Sequence, residues 1–471
     1  MTLSKAAVSI REYAGVDRMK GPLLIITGAG DAVYGEVAEI IAPDGLNRLG
    51  RVLEVSQERA VVEVFGEADG LPPADVRVRF RGHPFQMPVA REMLGRVFDG
   101  LGRPRDGLPP PIAEKRVGVG GAPINPVARS YPNDYIQTGL SAIDGMNTLV
   151  RGQKLPIFSQ KGLPHDDLAA QIAIQADIAG EAADFAVIFA GLGISHETAA
   201  DFERQLSDSG ALSQATLFLN LADDPPVERI LTPRLALTLA EFLAFEQGFH
   251  VLVILTDMTN YGAALREISN RREEVPTRKG YPGYLYSDLA SIYERCGIVA
   301  GCSGSVTLLP ILTMPNGDIT HPIPDLTGYI TEGQIVLSRD LDRQEIYPPI
   351  DVLSSLSRLM KDGIGAGQTR ADHQHLSNQI YASYTEAQNA RNLADIIGEE
   401  DLPERDRQHL TFGEQFEQRF LAQSREEGRS ITETLDLGWE VLGVLPKSAL
   451  TRVKSHEIEE HYPGGQHAAE E

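Results

Sequence analysis

Cysteine is scarce in this sequence, and nothing around it is typical of a metal site. The 471 residues include two cysteines, Cys296 and Cys302, and neither has Cys or His companions at zinc-binding spacing. Two thiols also cannot provide the framework of a disulfide-rich fold. We therefore predict buried free thiols and no metal site.

Basic residues are outnumbered by acidic ones. The chain has 43 Lys and Arg against 66 Asp and Glu, which gives a formal net charge of −23 at pH 7. Proteins that bind nucleic acids need clustered cations to neutralise phosphates. The balance argues against a nucleic-acid partner, including a nucleic-acid-translocating ring, and favours a soluble acidic surface.

Long hydrophobic runs are lacking as well. No stretch approaches the roughly 20 apolar residues that span a bilayer, and no basic N-terminal flank precedes an apolar core. We expect a cytoplasmic protein. Its length allows about three domains, and its 42% hydrophobic content is ordinary for globular cores.

A working phosphate-binding loop is missing where the pattern predicts one. Residues 155–175, LPIFSQKGLPHDDLAAQIAIQ, have the layout of a strand, a short loop and a helix. The signature GxxxxGK[ST] needs glycines so that backbone N–H groups approach phosphates, a Lys for the phosphates and a Ser/Thr for Mg²⁺. Its four fixed positions here hold Ser159, Pro164, His165 and Asp166.

These replacements oppose phosphate binding. Asp166 and Asp167 fall in the first turn of the predicted helix, where carboxylates complement the helix dipole and occupy the place of a phosphate. Pro164 has no N–H to donate. We predict a relic loop that is now structural. Lys161 leaves weak binding of ATP or ADP as an alternative, and a self-sufficient ATPase with a degenerate phosphate loop is a further one.

Periodicity divides the chain into three units. Residues 1–75 contain short strands between turn residues, which predicts an N-terminal β-barrel. Residues 76–350 alternate buried strands with amphipathic helices, which predicts a central α/β domain with a mostly parallel sheet. Residues 351–471 have helical spacing, which predicts a C-terminal α-helical bundle. Residues 93–111 are predicted to be loop and linker. The predicted central strands are 155–158, 185–190, 215–220, 250–256 and 304–313.

Two weaker patterns bear on metal binding. A run of apolar residues ends at Asp257, as in a strand whose acid holds Mg²⁺ through water, although an Asp that caps a buried strand is equally common. His373 and His375 are two residues apart and would face different sides of a helix. A solvated helix start is therefore favoured over a metal site there.

The segment YPPIDVLSSLSRLMKDG, residues 347–363, carries one arginine of interest. On a helix beginning near Asp351, three apolar residues would form one stripe: Leu353, Leu356 and Met360. Arg358 would lie roughly 200° from Leu356 at 100° per residue and point away from that stripe. By itself this pattern predicts an ordinary surface arginine.

Together these segments resemble the α/β subunit superfamily of rotary ATPases. Residues 348–357, PPIDVLSSLS, match the family signature P-[SAP]-[LIV]-[DNH]-x-x-x-S-x-S at every fixed position. Further matches follow in order over residues 93–107, 137–159, 266–297 and 315–335. The resemblance implies a central domain of the P-loop (RecA-like) type.

Within that superfamily the chain most resembles the non-catalytic B-type subunits of V/A-type enzymes. Catalytic members are expected to keep GxxxxGK[ST], and the catalytic A-type subunit carries a large insert for which this chain has no room. The position of the catalytic glutamate holds Ile194, which cannot activate a water molecule.

The resemblance implies roles for two residues. Arg358 aligns with an arginine that reaches across a subunit interface to the γ-phosphate of ATP held by the catalytic subunit, where a guanidinium stabilises the transferring phosphoryl group. Tyr347 matches a position whose ring stacks on adenine in catalytic subunits, although interface packing is the favoured role here. No cofactor is expected to be tightly bound, and ATP or ADP with Mg would lie at the interface.

The resemblance also implies an assembly. Three copies would alternate with three catalytic A subunits in a ring of a proton-translocating ATP synthase or ATPase. Central rotor shaft and peripheral stalk subunits would be further partners, and the membrane sector would be reached only indirectly. The expected function is regulatory, at the membrane periphery.

Overall fold

The chain is described here by a computed structural model, which covers residues 11–14, 16–43, 47–65, 72–178 and 184–463. The outer ends of the first and last predicted units, residues 1–10 and 464–471, lie outside the described residues. Within the described ranges, no helix is long and apolar enough to cross a membrane.

An antiparallel sheet of seven strands comes first. Its strands are β1 (Arg11–Ala14), β2 (Arg18–Lys20), β3 (Leu23–Thr27), β4 (Glu36–Ile41), β5 (Asn47–Val55), β6 (Arg59–Phe65) and β7 (Arg77–Pro84). They lie in the order β1-β7-β4-β5-β6-β3-β2. Leu24, Val62 and Phe80 are fully buried between them, because side chains alternate between the two faces of a strand. The predicted N-terminal strands are confirmed, and β7 extends the sheet past residue 75.

The predicted linker at residues 93–111 contains a strand, so that prediction was wrong in part. After β8 (Gln86–Val89), β9 (Val97–Asp99) pairs in parallel with Leu217–Leu219 at the edge of the central sheet, and β10 (Lys115–Gly118) pairs with β8. Phe98 is fully buried and stacks on Phe218 at 5.4 Å between ring centroids. The burial of this aromatic ring outweighs the Gly and Pro residues that flank it.

The central sheet is mostly parallel, as predicted. The strands of this part of the chain are β11 (Arg129–Ser130), β12 (Tyr135–Ile136), β13 (Leu149–Val150), β14 (Ile157–Ser159), β15 (Phe185–Ile194), β16 (Ala215–Leu221), β17 (His250–Thr256), β18 (Gly297–Val299), β19 (Ser305–Thr313), β20 (Gly333–Val336) and β21 (Leu356–Ser357). The order of the central sheet is β21-β20-β14-β19-β17-β15-β16-β9, with β18 joining β11 to β19, while β12 and β13 form a separate pair. All five predicted central strands are confirmed.

Helices cover this sheet and then form the end of the described chain. The central helices are α1 (Ser141–Asp144), α2 (His165–Gln175), α3 (His196–Asp208), α4 (Pro226–Glu241), α5 (Met258–Arg271), α6 (Leu285–Tyr293), α7 (Pro322–Ile330), α8 (Arg339–Arg343) and α9 (Met360–Gly363). The C-terminal helices are α10 (His373–Ile397), α11 (Glu404–Gln415), α12 (Ile431–Leu442) and α13 (Ser455–His461). Phe412, Phe416 and Trp439 form their buried contacts, which confirms the predicted helical bundle.

The predicted helix beginning near Asp351 does not form. Serine side chains take over the local hydrogen bonding: Ser354 Oγ donates to the Asp351 carboxylate at 2.6 Å, and Ser355 Oγ donates to the Asp351 carbonyl at 2.6 Å. Short polar side chains compete with helical bonds in this way. The chain then pairs as β21, so the expected apolar stripe is absent and Leu356 is 53% exposed.

The expectation of a solvated helix start at His373 was also wrong. Its ring is fully buried, with Nε2 at 3.0 Å from the Gly145 carbonyl oxygen and Nδ1 at 3.0 Å from Thr369 Oγ1. Burial lowers the pKa of His373 to about 4. Its neighbour His375 is partly exposed and pairs with Glu457 at 2.9 Å.

Both cysteines are free thiols, but they differ in burial. Cys296 is a buried free thiol, and Cys302 is free but only partly buried. Burial raises the pKa of Cys296 to about 12, so this thiol stays protonated. Among the described residues, no group of three or more His, Cys, Asp and Glu side chains is placed to hold a metal ion.

Candidate functional site

The predicted loop lies between β14 and α2, next to a cavity of about 620 Å³. We call this cavity the phosphate-loop cleft. Its wall carries more acidic than basic side chains. The residues that line it are Gly162, Leu163, Pro164, His165, Asp166, Asp167, Asp342, Glu345, Ile346, Tyr347, Gln423, Ser424 and Arg425.

The loop side of the cleft is bonded to itself. Pro164 precedes the first residue of α2 without a side-chain cap, and the acidic first turn contains Asp166 and Asp167 as predicted. His165 Nδ1 lies 2.9 Å from the Leu163 carbonyl oxygen and 3.2 Å from Ser159 Oγ. The residue at the lysine position therefore binds its own loop.

The two acidic side chains have different surroundings. Burial and the nearby charges of Asp257 and Asp167 raise the pKa of Asp166, while His165 acts in the opposite direction. Asp167 forms an ion pair with Arg425 at 2.8 Å. Negative charge at the start of α2 disfavours a phosphate at the same place.

Arg425 occupies the Tyr347 side of the cleft. Its guanidinium carbon lies 5.5 Å from the centroid of the Tyr347 ring, within the range of a cation–π contact. The Tyr347 hydroxyl donates to Gln171 Oε1 at 2.9 Å, and burial raises the pKa of Tyr347. The ring predicted to contact adenine or pack at an interface thus has a cation from its own chain above it.

Other predicted positions near the loop are structural or peripheral. Lys161 is exposed and is not among the described residues that line the cleft. The Asp257 carboxylate caps α5 by accepting from Thr259 N at 2.8 Å, and it also accepts from Thr313 N at 3.1 Å. Ile194, at the end of β15, is 6% exposed and belongs to the apolar core.

Arg358 lies directly after β21 and is exposed. Its backbone N–H donates to the Glu332 carbonyl at 3.0 Å, and its Nη1 lies 3.4 Å from the Thr331 carbonyl oxygen. It borders a cavity of about 310 Å³ between β21 and α10. We call residues 355–358 with this cavity the finger edge.

Strand register places the cleft and the finger edge at opposite ends of the sheet. The parallel pair β14 and β20 aligns Ile157 with Ile335, so the loop after Ser159 leaves from the carboxyl ends of these strands. The antiparallel pair β20 and β21 aligns Gly333 with Ser357, so Arg358 lies beyond the amino end of β20. Arg358 bonds to Glu332, and Glu332 bonds to Lys154, which lies five residues before Ser159. At about 3.3 Å per residue, Lys154 and Ser159 are about 17 Å apart along the strand direction.

Some residues at these sites have no marker in the sequence. Arg425 is 258 positions after Asp167, and nothing in the sequence around it indicates the pair between the two residues. Gly333 adopts a φ of 140°, and a Cβ there would lie 2.1 Å from the Leu356 carbonyl oxygen. Gly333 lies within a segment that resembles the superfamily, which marked this region as important. Only the strand pairing shows that a Cβ at this position would clash with the Leu356 carbonyl.

Family models match three successive parts of the chain. Residues 16–82 match the beta-barrel domain of the ATP synthase alpha/beta family, and residues 139–357 match its nucleotide-binding domain. Residues 362–462 match the C-terminal domain of V and A type ATP synthase. These matches confirm the predicted fold class, while the predicted unit boundaries stay predictions.

Individual proteins resemble the chain over nearly its whole length. The B subunit of the A-type ATP synthase of Aeropyrum pernix is 58% identical over 457 residues, which cover 97% of this chain and 99% of that protein. The V-type ATP synthase beta chain of Halothermothrix orenii is 57% identical over 454 residues, 96% of this chain and 98% of that protein. Among solved structures, the ATP synthase subunit NeqB from Nanoarcheaum equitans superposes with a TM-score of 0.72 at 39% identity, and the match covers 87% of this chain and 98% of that one.

Proposed function

Since the chain belongs to the ATP synthase alpha/beta family, as a B subunit of the V/A type, we propose that it is the non-catalytic, regulatory subunit of the ring. In this role it alternates with catalytic A subunits, three of each. Arg358 reaches the γ-phosphate of ATP that a neighbouring subunit holds with Mg²⁺. The chain itself binds no cofactor tightly.

One observation carries the proposal: the finger edge and the phosphate-loop cleft lie at opposite ends of one sheet. An arginine at one end cannot contact a phosphate held at the other, because side chains span only a few ångströms. Arg358 is exposed, and within the described ranges its guanidinium forms one long hydrogen bond, 3.4 Å, to the Thr331 carbonyl. A nucleotide bound by a second subunit against the finger edge is therefore the ligand within its reach.

The cleft supports a non-catalytic assignment. Asp166 and Asp167 repel phosphate, Arg425 is already paired, and the His165 Nδ1 faces its own loop. Ile194 supplies no base that could orient an attacking water. The chain would then contribute to ATP chemistry only from the far side of an interface.

The proposed regulation follows from this arrangement. Binding of nucleotide to the neighbouring catalytic subunit would change the contacts of Arg358. This chain would then transmit the change through its C-terminal helical domain to the rotor shaft subunits. Peripheral stalk subunits would complete the assembly. The proposal places the chain in the cytoplasm, at the membrane periphery and tied to the membrane sector indirectly.

The test is Arg358→Ala in the reconstituted complex. We expect normal assembly, nearly normal ATP binding by the partner and hydrolysis lower by about 10³–10⁵, the contribution of arginine fingers in other phosphotransferases. Arg204→Ala is the matched control, since Arg204 is 65% exposed and pairs with Asp201 of its own helix.

Unchanged hydrolysis in Arg358→Ala would reject the proposed role of the arginine. The isolated chain gives a second arm, because turnover of ATP with Mg²⁺ by this chain alone would favour the self-sufficient ATPase instead.

A further inference from the structure

A buried lysine lies on the same strand level as Arg358. Lys154 is 3% exposed, and its Nζ lies between two glutamates, 2.9 Å from Glu332 Oε1 and 3.0 Å from Glu294 Oε1. Glu294 is held in turn by Arg129 at 2.6 Å. A buried ammonium needs such partners, because an unpaired charge is costly in a nonpolar environment.

Lys154 binds Glu332 through both its main chain and its side chain. The Lys154 backbone N–H donates to Glu332 Oε2 at 2.8 Å, and the Glu332 N–H donates back to the Lys154 carbonyl at 3.0 Å. Together with the ion pair, three contacts join these two residues. The turn at Thr331 and Glu332 is therefore fixed to the chain segment that leads into β14.

That turn supplies the contacts that hold Arg358. The Glu332 carbonyl accepts from the Arg358 N–H, and the Thr331 carbonyl lies 3.4 Å from Arg358 Nη1. Gln153 adds a second connection, since its Nε2 donates to the Glu332 carbonyl and to Ser357 Oγ, each at 3.0 Å. Any shift of the turn would move the base of the arginine.

We infer that Lys154 is a positioning residue for Arg358, acting through its ion pair with Glu332. The inference rests on the proposed role of Arg358 and adds to it the group that sets the arginine's position. Lys154→Met keeps an unbranched apolar side chain but leaves Glu332 without its cation. In the variant, the backbone N–H of residue 154 still bonds to Oε2, but Oε1 has lost its ammonium partner. We expect this carboxylate oxygen to turn toward solvent and to shift the two carbonyls that contact Arg358.

The experiment compares Lys154→Met with Arg358→Ala and with the double variant in the assembled complex. A misplacement of about 1 Å can cost about 10²-fold in rate, so we expect Lys154→Met to lower kcat by about 10–100-fold with KM for ATP unchanged. A fold that is merely weakened would reduce the amount of complex and leave kcat per assembled complex normal. Lys115→Met, which removes an exposed ion pair with Glu246, is the control.

The double variant decides whether Lys154 acts through Arg358. If it does, Lys154→Met slows the Arg358→Ala complex no further. Normal kcat in Lys154→Met, or an additional loss in the double variant, overturns the positioning role while leaving the proposed function intact. Normal hydrolysis in Arg358→Ala rejects both.

A second variant covers a failure of Lys154→Met to fold. Glu332→Gln keeps an oxygen that can accept from the Lys154 N–H and removes only the charge. We expect the same split, a lower kcat at constant KM, with a loss of a few fold. An unchanged kcat in this variant would also contradict the inference.

Discussion

The phosphate-loop cleft and the finger edge contain similar polar groups but differ in where their partners are. In the cleft, Asp167 pairs with Arg425 and the His165 ring binds its own loop, so these two groups have their partners within the chain. At the finger edge, the backbone of Arg358 is tightly bonded while its guanidinium is exposed. Polar groups that are already bonded within the chain are poorly available to a ligand. An arginine with a fixed backbone and an exposed side chain, by contrast, is suited to bind a ligand held by another subunit.

The two sites also differ in their electrostatics. ATP would bring negative charge to a cleft whose wall holds Asp166, Asp167, Asp342 and Glu345, and the repulsion acts in a partly buried place where screening is weak. The finger edge presents the cations Arg358 and Lys361 to its cavity. The same nucleotide would thus be opposed at one end of the sheet and attracted at the other.

After Arg358→Ala, the largest expected effect on hydrolysis comes from breaking the geometry of the finger edge with Gly333→Ala. The new Cβ would lie 2.1 Å from the Leu356 carbonyl oxygen at a φ of 140°, so β20 and β21 must separate. We expect hydrolysis by the assembled complex to fall by about 10², the effect of a misplacement near 1 Å, or more.

Gly328→Ala in α7 is the matched control, because nothing lies within 4 Å of a Cβ at that glycine. ATP affinity of the partner should be unchanged in both variants. Equal hydrolysis rates for the two would mean that the separation of β20 and β21 does not reach Arg358.

Acid is expected to act on the stability of the isolated chain instead of on hydrolysis, and its effect should fall on the finger side. His373 begins α10, which lines the finger-edge cavity, and its pKa is lowered by burial from 6.5 to about 4. Below pH 6.5 His373 is protonated in the unfolded chain, whereas in the folded chain it becomes protonated only near pH 4. The free energy of unfolding therefore falls across this window as pH drops, by about 3 kcal/mol in total.

Urea unfolding of the isolated chain between pH 7 and pH 4 measures this slope. The unfolding free energy of His373→Gln should depend less steeply on pH than that of the native chain, by one proton over the window. This variant should also be less stable at pH 7. A parallel profile for His373→Gln and the native chain would exclude His373 as the source.

The smallest effect is expected from repairing the cleft. Replacing Ser159→Gly, Pro164→Gly, His165→Lys and Asp166→Thr restores the loop signature and removes one carboxylate. Arg425, Asp167 and Asp342 remain, so we expect only about a tenfold gain in affinity for Mg-ADP, equal to about 1.4 kcal/mol, by isothermal titration.

Asp340→Thr is the control, because it removes a carboxylate that is 82% exposed and does not line the cleft. The repaired chain should still not hydrolyse ATP, since Ile194 is unchanged. No gain in affinity would show that the loop residues are not what opposes nucleotide.

Predictability followed the strength of the hydrophobic pattern. The strands at 185–190 and 250–256 were predictable because strands buried on both faces are continuous apolar runs. The segment after Asp351 was predicted wrongly, because its leucines have helical spacing but its serines bind the backbone and β20 offers a pairing edge. The burial of His373 was equally hidden, since it comes from contact with Gly145, which is 228 positions away.

The sequence by itself determined the order of the three units, the family and the residues at the four positions of the phosphate-loop pattern, because these depend on local pattern and on residue identity. Only the tertiary structure decided that Arg425 pairs with Asp167, that Lys154 grips Glu332, and that the loop and Arg358 lie at opposite ends of the sheet. Those facts depend on strand order and register, which join residues far apart in the chain and leave no mark on the sequence near either partner.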